Sequence, residues 1–124
     1  MSVKNVLVVD DSKIMRNIVK NTFASLDIPC KFFEADNGKT AWDELLKEKM
    51  DLILLDWNMP QLSGIELLKR IRGDERYANL PVIMVTSEAA KYNVVEALQM
   101  GATDYIIKPV NERKFKDKIT KITL

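Results

Sequence analysis

The hydrophobic residues of this chain follow two different spacings, and the two alternate along its whole length. Five short runs are mostly apolar, which is typical of strands buried on both faces of a parallel sheet. Between these runs, apolar residues recur every three or four positions, which is the spacing of an amphipathic helix. The runs lie at positions 6–9, 32–33, 52–55, 82–85 and 105–107.

The five segments between and after the runs are predicted to be helices, each with one apolar stripe against the sheet. A capping-box pattern, Ser63-x-x-Glu66, marks the start of the third helix. The fourth is expected at about 89–100, ended by Gly101. The stripes predicted for the other four helices comprise Ile14, Ile18, Val19, Phe23 and Leu26; Ala41, Trp42, Leu45 and Leu46; Ile65, Leu68 and Ile71; and Phe115, Ile119 and Ile122.

Strict alternation of strands and helices predicts the α/β fold class. We expect a doubly wound (βα)₅ fold, in which a parallel five-stranded sheet carries helices on both faces. The expected strand order is the flavodoxin-like 2-1-3-4-5. Residues 1–124 show no linker or repeat, so they are expected to form a single domain with no output domain attached.

Composition excludes several functions. Lys and Arg number 19 and Asp and Glu 18, and this net charge of +1 argues against a nucleic-acid-binding protein. No apolar run is long enough to insert in a membrane, and no signal peptide is recognisable. A single cysteine, Cys30, fits a reducing, cytoplasmic setting. The absence of histidine removes Ser-His and Cys-His catalysis and histidine-ligated zinc.

Three acidic residues follow two strands that are neighbours in the predicted sheet. Asp10 and Asp11 come after the first strand, and Asp56 comes after the third. Two such charges about 4 Å apart repel by about 4 kcal/mol at an effective dielectric near 20, so a cation is expected between them. An all-oxygen set of ligands favours Mg²⁺. The alternative is that these residues cap the first helix or a turn, although capping does not account for all three.

Two further strands end in residues that suit a phosphoryl group. Thr86, after the fourth strand, offers a hydroxyl, and Lys108, after the fifth, offers a compact positive charge. Each alone is readily explained as a helix cap or a surface lysine. Together with the acids they form a site that could offset the charge of a transferring phosphoryl group.

Four segments resemble the receiver domains of two-component response regulators, and the similarity covers essentially the whole chain. They are VVDDS at 8–12, LDWNMP at 55–60, VTSE at 85–88 and YIIKP at 105–109. Within that family the chain is most similar to the stand-alone chemotaxis regulators.

The resemblance implies a role for each residue of the site. Asp56 would be the phosphoacceptor. Asp11, Asp56 and the backbone carbonyl of Asn58 would bind Mg²⁺ directly, and Asp10 would act mainly through water. Lys108 and Thr86 would contact the phosphoryl oxygens.

Further roles follow from the same resemblance. Tyr105, together with Thr86, would act as the conformational switch, unless it is an ordinary half-buried strand tyrosine. Asn58 and Glu88 would tune hydrolysis of the acyl phosphate. The partner surface, formed by helix 4, strand 5 and helix 5, would comprise Ala89, Lys91, Val94, Tyr105 and Lys118.

Three functions are compatible with these roles. The first is a monomeric, phosphorylation-activated signalling switch, which a histidine kinase phosphorylates and which then binds the flagellar motor switch protein. The second is a phosphorelay intermediate that passes its phosphoryl group to a histidine phosphotransfer protein. The third, an aspartate-nucleophile phosphohydrolase, ranks low because such enzymes need an acid two residues after the nucleophile, where this chain has Asn58. We therefore expect no enzymatic turnover of an external substrate.

Overall fold

All five predicted strands and all five predicted helices form, in the predicted order. The computed structural model describes residues 4–123, except the side chain of residue 123, so the two ends of the predicted domain 1–124 lie outside the described residues. The strands are β1 (Asn5–Val9), β2 (Lys31–Ala35), β3 (Leu52–Leu55), β4 (Val82–Thr86) and β5 (Asp104–Ile107). The helices are α1 (Lys13–Ala24), α2 (Gly38–Lys47), α3 (Gly64–Arg72), α4 (Lys91–Gln99) and α5 (Glu112–Thr123), with a 3₁₀ turn at Glu75–Tyr77.

The five strands pair in parallel in the order β2-β1-β3-β4-β5, which confirms the predicted topology. Val9, the last residue of β1, lies beside Leu55, the last residue of β3. The pairing continues one step beyond the strand, because the Asp56 N–H donates to the Val9 carbonyl at 2.9 Å. This register brings the residues that follow β1 and β3 to the same edge of the sheet.

The sheet is buried on both faces because alternate residues of each strand enter two separate hydrophobic layers. Leu7, Val9 and Leu55 belong to the layer beneath α2, α3 and α4. Val8 and Leu54 belong to the layer beneath α1 and α5. The molecule is therefore doubly wound. Among residues 4–123, none of the helices has the length and apolar character needed to cross a membrane.

Most helix starts carry a side-chain cap. Ser12 caps α1, Asn37 caps α2, and Ser63 forms the predicted capping box with Glu66 at α3. Helix α4 differs, because its N-cap residue is Ala90 and no side chain caps the first turn. The backbone N–H groups of that turn thus lack a stabilisation that is typically worth about 1 kcal/mol.

The predicted apolar stripes were wrong at three positions. Val19 and Phe23 of α1 are buried, but Ile14 is 73% exposed and Ile18 is 41% exposed. Each residue turns a helix by about 100°, so Ile18 lies on the flank of α1 and not beneath Val19. On α2, Leu46 is 51% exposed for the same reason, since the adjacent Leu45 faces the sheet.

Candidate functional site

Three carboxylates converge at the carboxyl edge of the sheet, as the sequence predicts. Asp10 and Asp56 are buried, with 3% and 7% of their surface exposed, whereas Asp11 is exposed. One oxygen from each carboxylate lies within 4.8 Å of an oxygen from the other two. An all-oxygen donor set with one solvent-facing member fits a hard divalent cation that keeps some of its water ligands.

Asp10 is fixed from three directions. Its Oδ1 accepts the Ser12 N–H at 2.9 Å, and its Oδ2 accepts from Lys108 Nζ at 2.8 Å. Its backbone carbonyl accepts from Arg16 Nη1 at 2.8 Å. The alternative that Asp10 or Asp11 caps α1 is wrong, because the cap is Ser12, whose hydroxyl accepts the Met15 N–H. The carboxylate of Asp10 is therefore fixed at the site and does not cap the helix.

Asp56 is held by the loop that follows it. Its Oδ1 accepts the N–H of the next residue, Trp57, at 2.8 Å. The loop then folds back, because the Gly64 N–H donates to the Trp57 carbonyl at 2.8 Å. A Cβ atom at position 64 would lie 2.0 Å from the Asp56 carbonyl oxygen, so only glycine allows this closure.

Lys108 provides the positive charge of the site. Its Nζ lies 2.8 Å from Asp10 Oδ2 and 3.4 Å from Asp56 Oδ2, and 14% of its side chain is exposed. Burial by itself would lower the pKa of Lys108, but the hydrogen bond to Asp10 and the charges of Asp56 and Asp10 outweigh it and raise that pKa. The ammonium group therefore stays charged. With three carboxylates it leaves two net negative charges, which a divalent cation would neutralise.

Thr86 ends β4 next to this group and is fully buried. Its hydroxyl oxygen accepts the Glu88 N–H at 3.3 Å, and its carbonyl accepts the Lys108 N–H at 2.9 Å. The first contact fixes the loop that follows β4, and the second ties the end of β4 to the end of β5. Movement of the Thr86 hydroxyl would therefore disturb the loop that follows β4.

Tyr105 points inward from β5. The residue is 8% exposed, and its hydroxyl donates to the Glu88 carbonyl at 2.6 Å. The alternative of a half-buried strand tyrosine therefore does not describe its position. Burial, followed by the charges of Glu88 and Asp56, raises the pKa of Tyr105 to about 12.

This inward position predicts a late step in an alkaline titration. We expect one tyrosine to ionise near pH 12 in the ultraviolet absorbance of the native protein. Because the folded state keeps the proton on Tyr105 longer than the unfolded state does, the stability that this group contributes is complete below about pH 10 and is lost as the pH rises towards 12. Tyr105→Phe should remove the late step, whereas Tyr92→Phe, at a residue 75% exposed, should leave it in place. A late step that persists in Tyr105→Phe would contradict this position of the ring.

Asn58 and Glu88 contact each other. Asn58 Nδ2 donates to Glu88 Oε1 at 2.7 Å, and Glu88 Oε2 accepts from Asn93 Nδ2 at 3.2 Å. The sequence indicated the first two residues but not Asn93, which belongs to the first turn of α4. The only signal for Asn93 was an amide side chain one helical turn into the fourth predicted helix.

The predicted partner surface is partly exposed and partly buried. Ala89 and Lys91 are exposed, Val94 packs against the core, and Lys118 is half-buried and pairs with Asp104 at 3.0 Å. Tyr105 faces inward, as described above. The large apolar residues of this face that are exposed are Tyr92, Val95, Leu98 and Ile107.

A groove that overlaps this surface is rich in lysine. It has a volume of about 670 Å³ and runs between β5 and α5. Its lining combines apolar residues such as Ile107 and Pro109 with Lys114, Lys118 and Lys121. A lining that combines apolar residues with several lysines favours an amphipathic segment that carries acidic residues.

Comparison with known proteins places these features in a family. Residues 6–120 match the response regulator receiver domain. The "Chemotaxis protein CheY homolog" of Campylobacter jejuni is 43% identical over 94% of this chain and 89% of its own. The "Chemotaxis protein CheY" of Pseudomonas aeruginosa is 44% identical over 94% of each chain. The structure of "Chemotaxis response regulator CheY4 of Vibrio cholerae" is 30% identical, with a TM-score of 0.86 over 98% of this chain and 99% of its own. The chain therefore belongs to the response regulator receiver domains of two-component signalling and is of the CheY type.

Proposed function

We propose that this protein is a signalling switch that is turned on by phosphorylation of Asp56. The observation that supports this most strongly is the placement of Lys108 Nζ between Asp10 and Asp56, 2.8 and 3.4 Å from their carboxylates. The charged residues of the site come from the ends of β1, β3 and β5. Thr86 comes from the end of β4, which lies between β3 and β5 in the sheet. Such a site offers one nucleophilic oxygen together with a fixed cation for the charge of an incoming phosphoryl group.

The proposed chemistry is the transfer of a phosphoryl group from a donor to the Asp56 carboxylate. An oxygen of the Asp56 carboxylate attacks phosphorus, and a new P–O bond forms as the bond from phosphorus to the donor breaks. The donor leaves with the bonding electron pair: a histidine kinase regains its imidazole, and acetyl phosphate releases acetate. Lys108 stays charged throughout and offsets the growing negative charge on the phosphoryl oxygens.

The acid cluster fits Mg²⁺ as the cofactor. Asp11, Asp56 and the backbone carbonyl of Asn58 would hold the ion, and Asp10, whose two oxygens already accept from Ser12 and Lys108, would act through water. When bound, Mg²⁺ supplies charge neutralisation and fixes the phosphoryl oxygens. The chain's own residues orient the nucleophile and provide the remaining positive charge.

Phosphorylation would be transmitted through Thr86 and Tyr105. An aspartyl phosphate carries about two negative charges in place of one. The added charge would attract the Thr86 hydroxyl and Lys108, and the Thr86 hydroxyl now accepts the Glu88 N–H. Its movement would rearrange the loop whose Glu88 carbonyl anchors Tyr105. Only a few kcal/mol are needed to bias such a two-state element.

The output would be binding of the flagellar motor switch protein by the α4–β5–α5 surface, in the cytoplasm and with the protein as a monomer. The chemotaxis relatives support this choice, as does the exposed apolar and lysine-lined character of the surface. We expect a purified motor switch protein to bind at least about tenfold more tightly in the presence of Mg²⁺ and beryllofluoride, a mimic of the phosphoryl group. Equal binding with and without the mimic would contradict this output.

The phosphorelay alternative predicts a different result. Label on Asp56 would then move to a histidine of a phosphotransfer protein, and the motor switch protein would show no preference for the activated form. A phosphohydrolase remains the weakest candidate, because Asn58 donates to Glu88 and cannot act as a carboxylic acid. We propose that the chain turns over no external substrate.

A further inference from the structure

Glu88 is fixed at each of its polar groups. Its N–H donates to the Thr86 hydroxyl, and its carbonyl accepts from the Tyr105 hydroxyl. One carboxylate oxygen accepts from Asn58 at 2.7 Å, and the other accepts from Asn93 at 3.2 Å. A half-buried glutamate side chain, with three rotatable bonds, is thereby held in one orientation.

The two carboxylate contacts form a bridge across one side of the site. Asn58 comes two residues after Asp56, and Glu88 comes two residues after Thr86, so the bridge joins the loops that follow the adjacent strands β3 and β4. Asn93 anchors the far end of the bridge in the first turn of α4, where its own N–H donates to the Ala90 carbonyl at 2.9 Å. The bridge therefore extends from beside the phosphoacceptor to a helix.

The donors in this bridge are both neutral amides. They satisfy the two oxygens of Glu88 but leave its negative charge in place, beside a site that already contains three carboxylates. Phosphodonors are themselves anions, so a carboxylate held at this place repels them. If the Glu88 carboxylate were free to rotate into solvent, it would repel an approaching phosphodonor less.

We propose that Asn93 is a positioning residue that holds the Glu88 carboxylate against Asn58, two residues after the phosphoacceptor, and thereby slows phosphorylation by small anionic donors. This inference rests on the proposed function, because it concerns a contact that slows the proposed phosphorylation of Asp56. Asn93 acts through Glu88 and does not touch the reacting atoms. Its effect should consequently require the Glu88 carboxylate.

The test is a double-mutant cycle on the second-order rate constant for phosphorylation by acetyl phosphate, measured in Mg²⁺ through Trp57 fluorescence. Asn93→Ala should raise this rate constant by at least about threefold, and Glu88→Ala should raise it by at least as much. Adding Asn93→Ala to Glu88→Ala should change the rate constant no further. Gln99→Ala removes an exposed amide from the other end of α4 and should match the wild type.

The outcomes separate the two proposals. If Asn93→Ala matched the wild type, or raised the rate equally with and without Glu88, the bridge would be refuted while phosphorylation of Asp56 would stand. If the wild type itself were not phosphorylated, both proposals would fail. An unchanged far-ultraviolet circular dichroism spectrum for each variant ensures that a change in rate reflects the bridge and not unfolding.

Discussion

Replacement of Asp56 by asparagine should abolish phosphorylation of this protein. An amide lacks the anionic oxygen that would attack phosphorus, so labelling by radioactive acetyl phosphate should fall by at least about a hundredfold. The fold should survive, because the amide oxygen of the new side chain could still accept the Trp57 N–H, as Oδ1 of Asp56 does, and one negative charge would leave a crowded site. Removal of Mg²⁺ from the wild type should have a comparable effect.

Asp43→Asn provides the matched control for this change. It makes the same chemical substitution at an exposed residue of α2, away from the carboxyl edge of the sheet, and should label like the wild type. Thermal unfolding of both variants would check that each is folded. Persistent labelling of the Asp56→Asn protein, with the phosphate mapped to another residue, would refute Asp56 as the phosphoacceptor.

Replacement of Gly64 by alanine should be the most damaging small substitution in the loop around Asp56. The new Cβ would lie 2.0 Å from the Asp56 carbonyl oxygen, 2.8 Å from its carbonyl carbon and 2.9 Å from the Trp57 Cα. All three are backbone atoms, which cannot rotate away as a side chain can. We expect the free energy of unfolding in urea to fall by about 3 kcal/mol, at the upper end of the usual cost of overpacking. Labelling of the protein that remains folded should also be slower, because the backbone beside the nucleophile must shift.

Gly73 offers a control at the other end of the same helix. A Cβ there would lie 3.3 Å from the Lys69 carbonyl oxygen and 3.7 Å from that of Arg70, and the backbone is already right-handed, with φ −79°. Gly73→Ala should therefore change the free energy of unfolding by less than about 1 kcal/mol. Similar losses in the two variants would show that the close approach of Gly64 to Asp56 is not what matters.

The sheet and the acid cluster could be predicted because both follow from the positions of the apolar runs and from the strand order. An apolar run such as 52–55 specifies a buried strand, and in a parallel sheet the residue after each strand lies at one edge. The neighbouring positions of Asp10 and Asp56 then follow from strand order alone. No knowledge of side-chain conformation was needed.

The features that escaped prediction depend on rotation about a helix axis or about side-chain bonds. The spacing of Ile14 and Ile18 is helical, but spacing does not say where the centre of the buried stripe lies, and the sheet contacts Val19 and Phe23 instead. The bridge through Asn93 requires a particular orientation of three side chains from two separate segments of the chain. The inward direction of Tyr105 depends on an acceptor, the Glu88 carbonyl, that the loop conformation provides.

The pairing of Lys108 with Asp10 also bears on how the protein folds. The two residues are 98 positions apart, so their contact closes almost the entire chain into one loop. Until β5 docks at the edge of the sheet, the carboxylates of Asp10 and Asp56 lack their cation, and burial of unpaired charges is costly. A chain that ends before β5, such as a polypeptide still emerging from the ribosome, would therefore be expected to leave this edge of its sheet hydrated. Docking of the last strand would then complete the fold and the site in the same step.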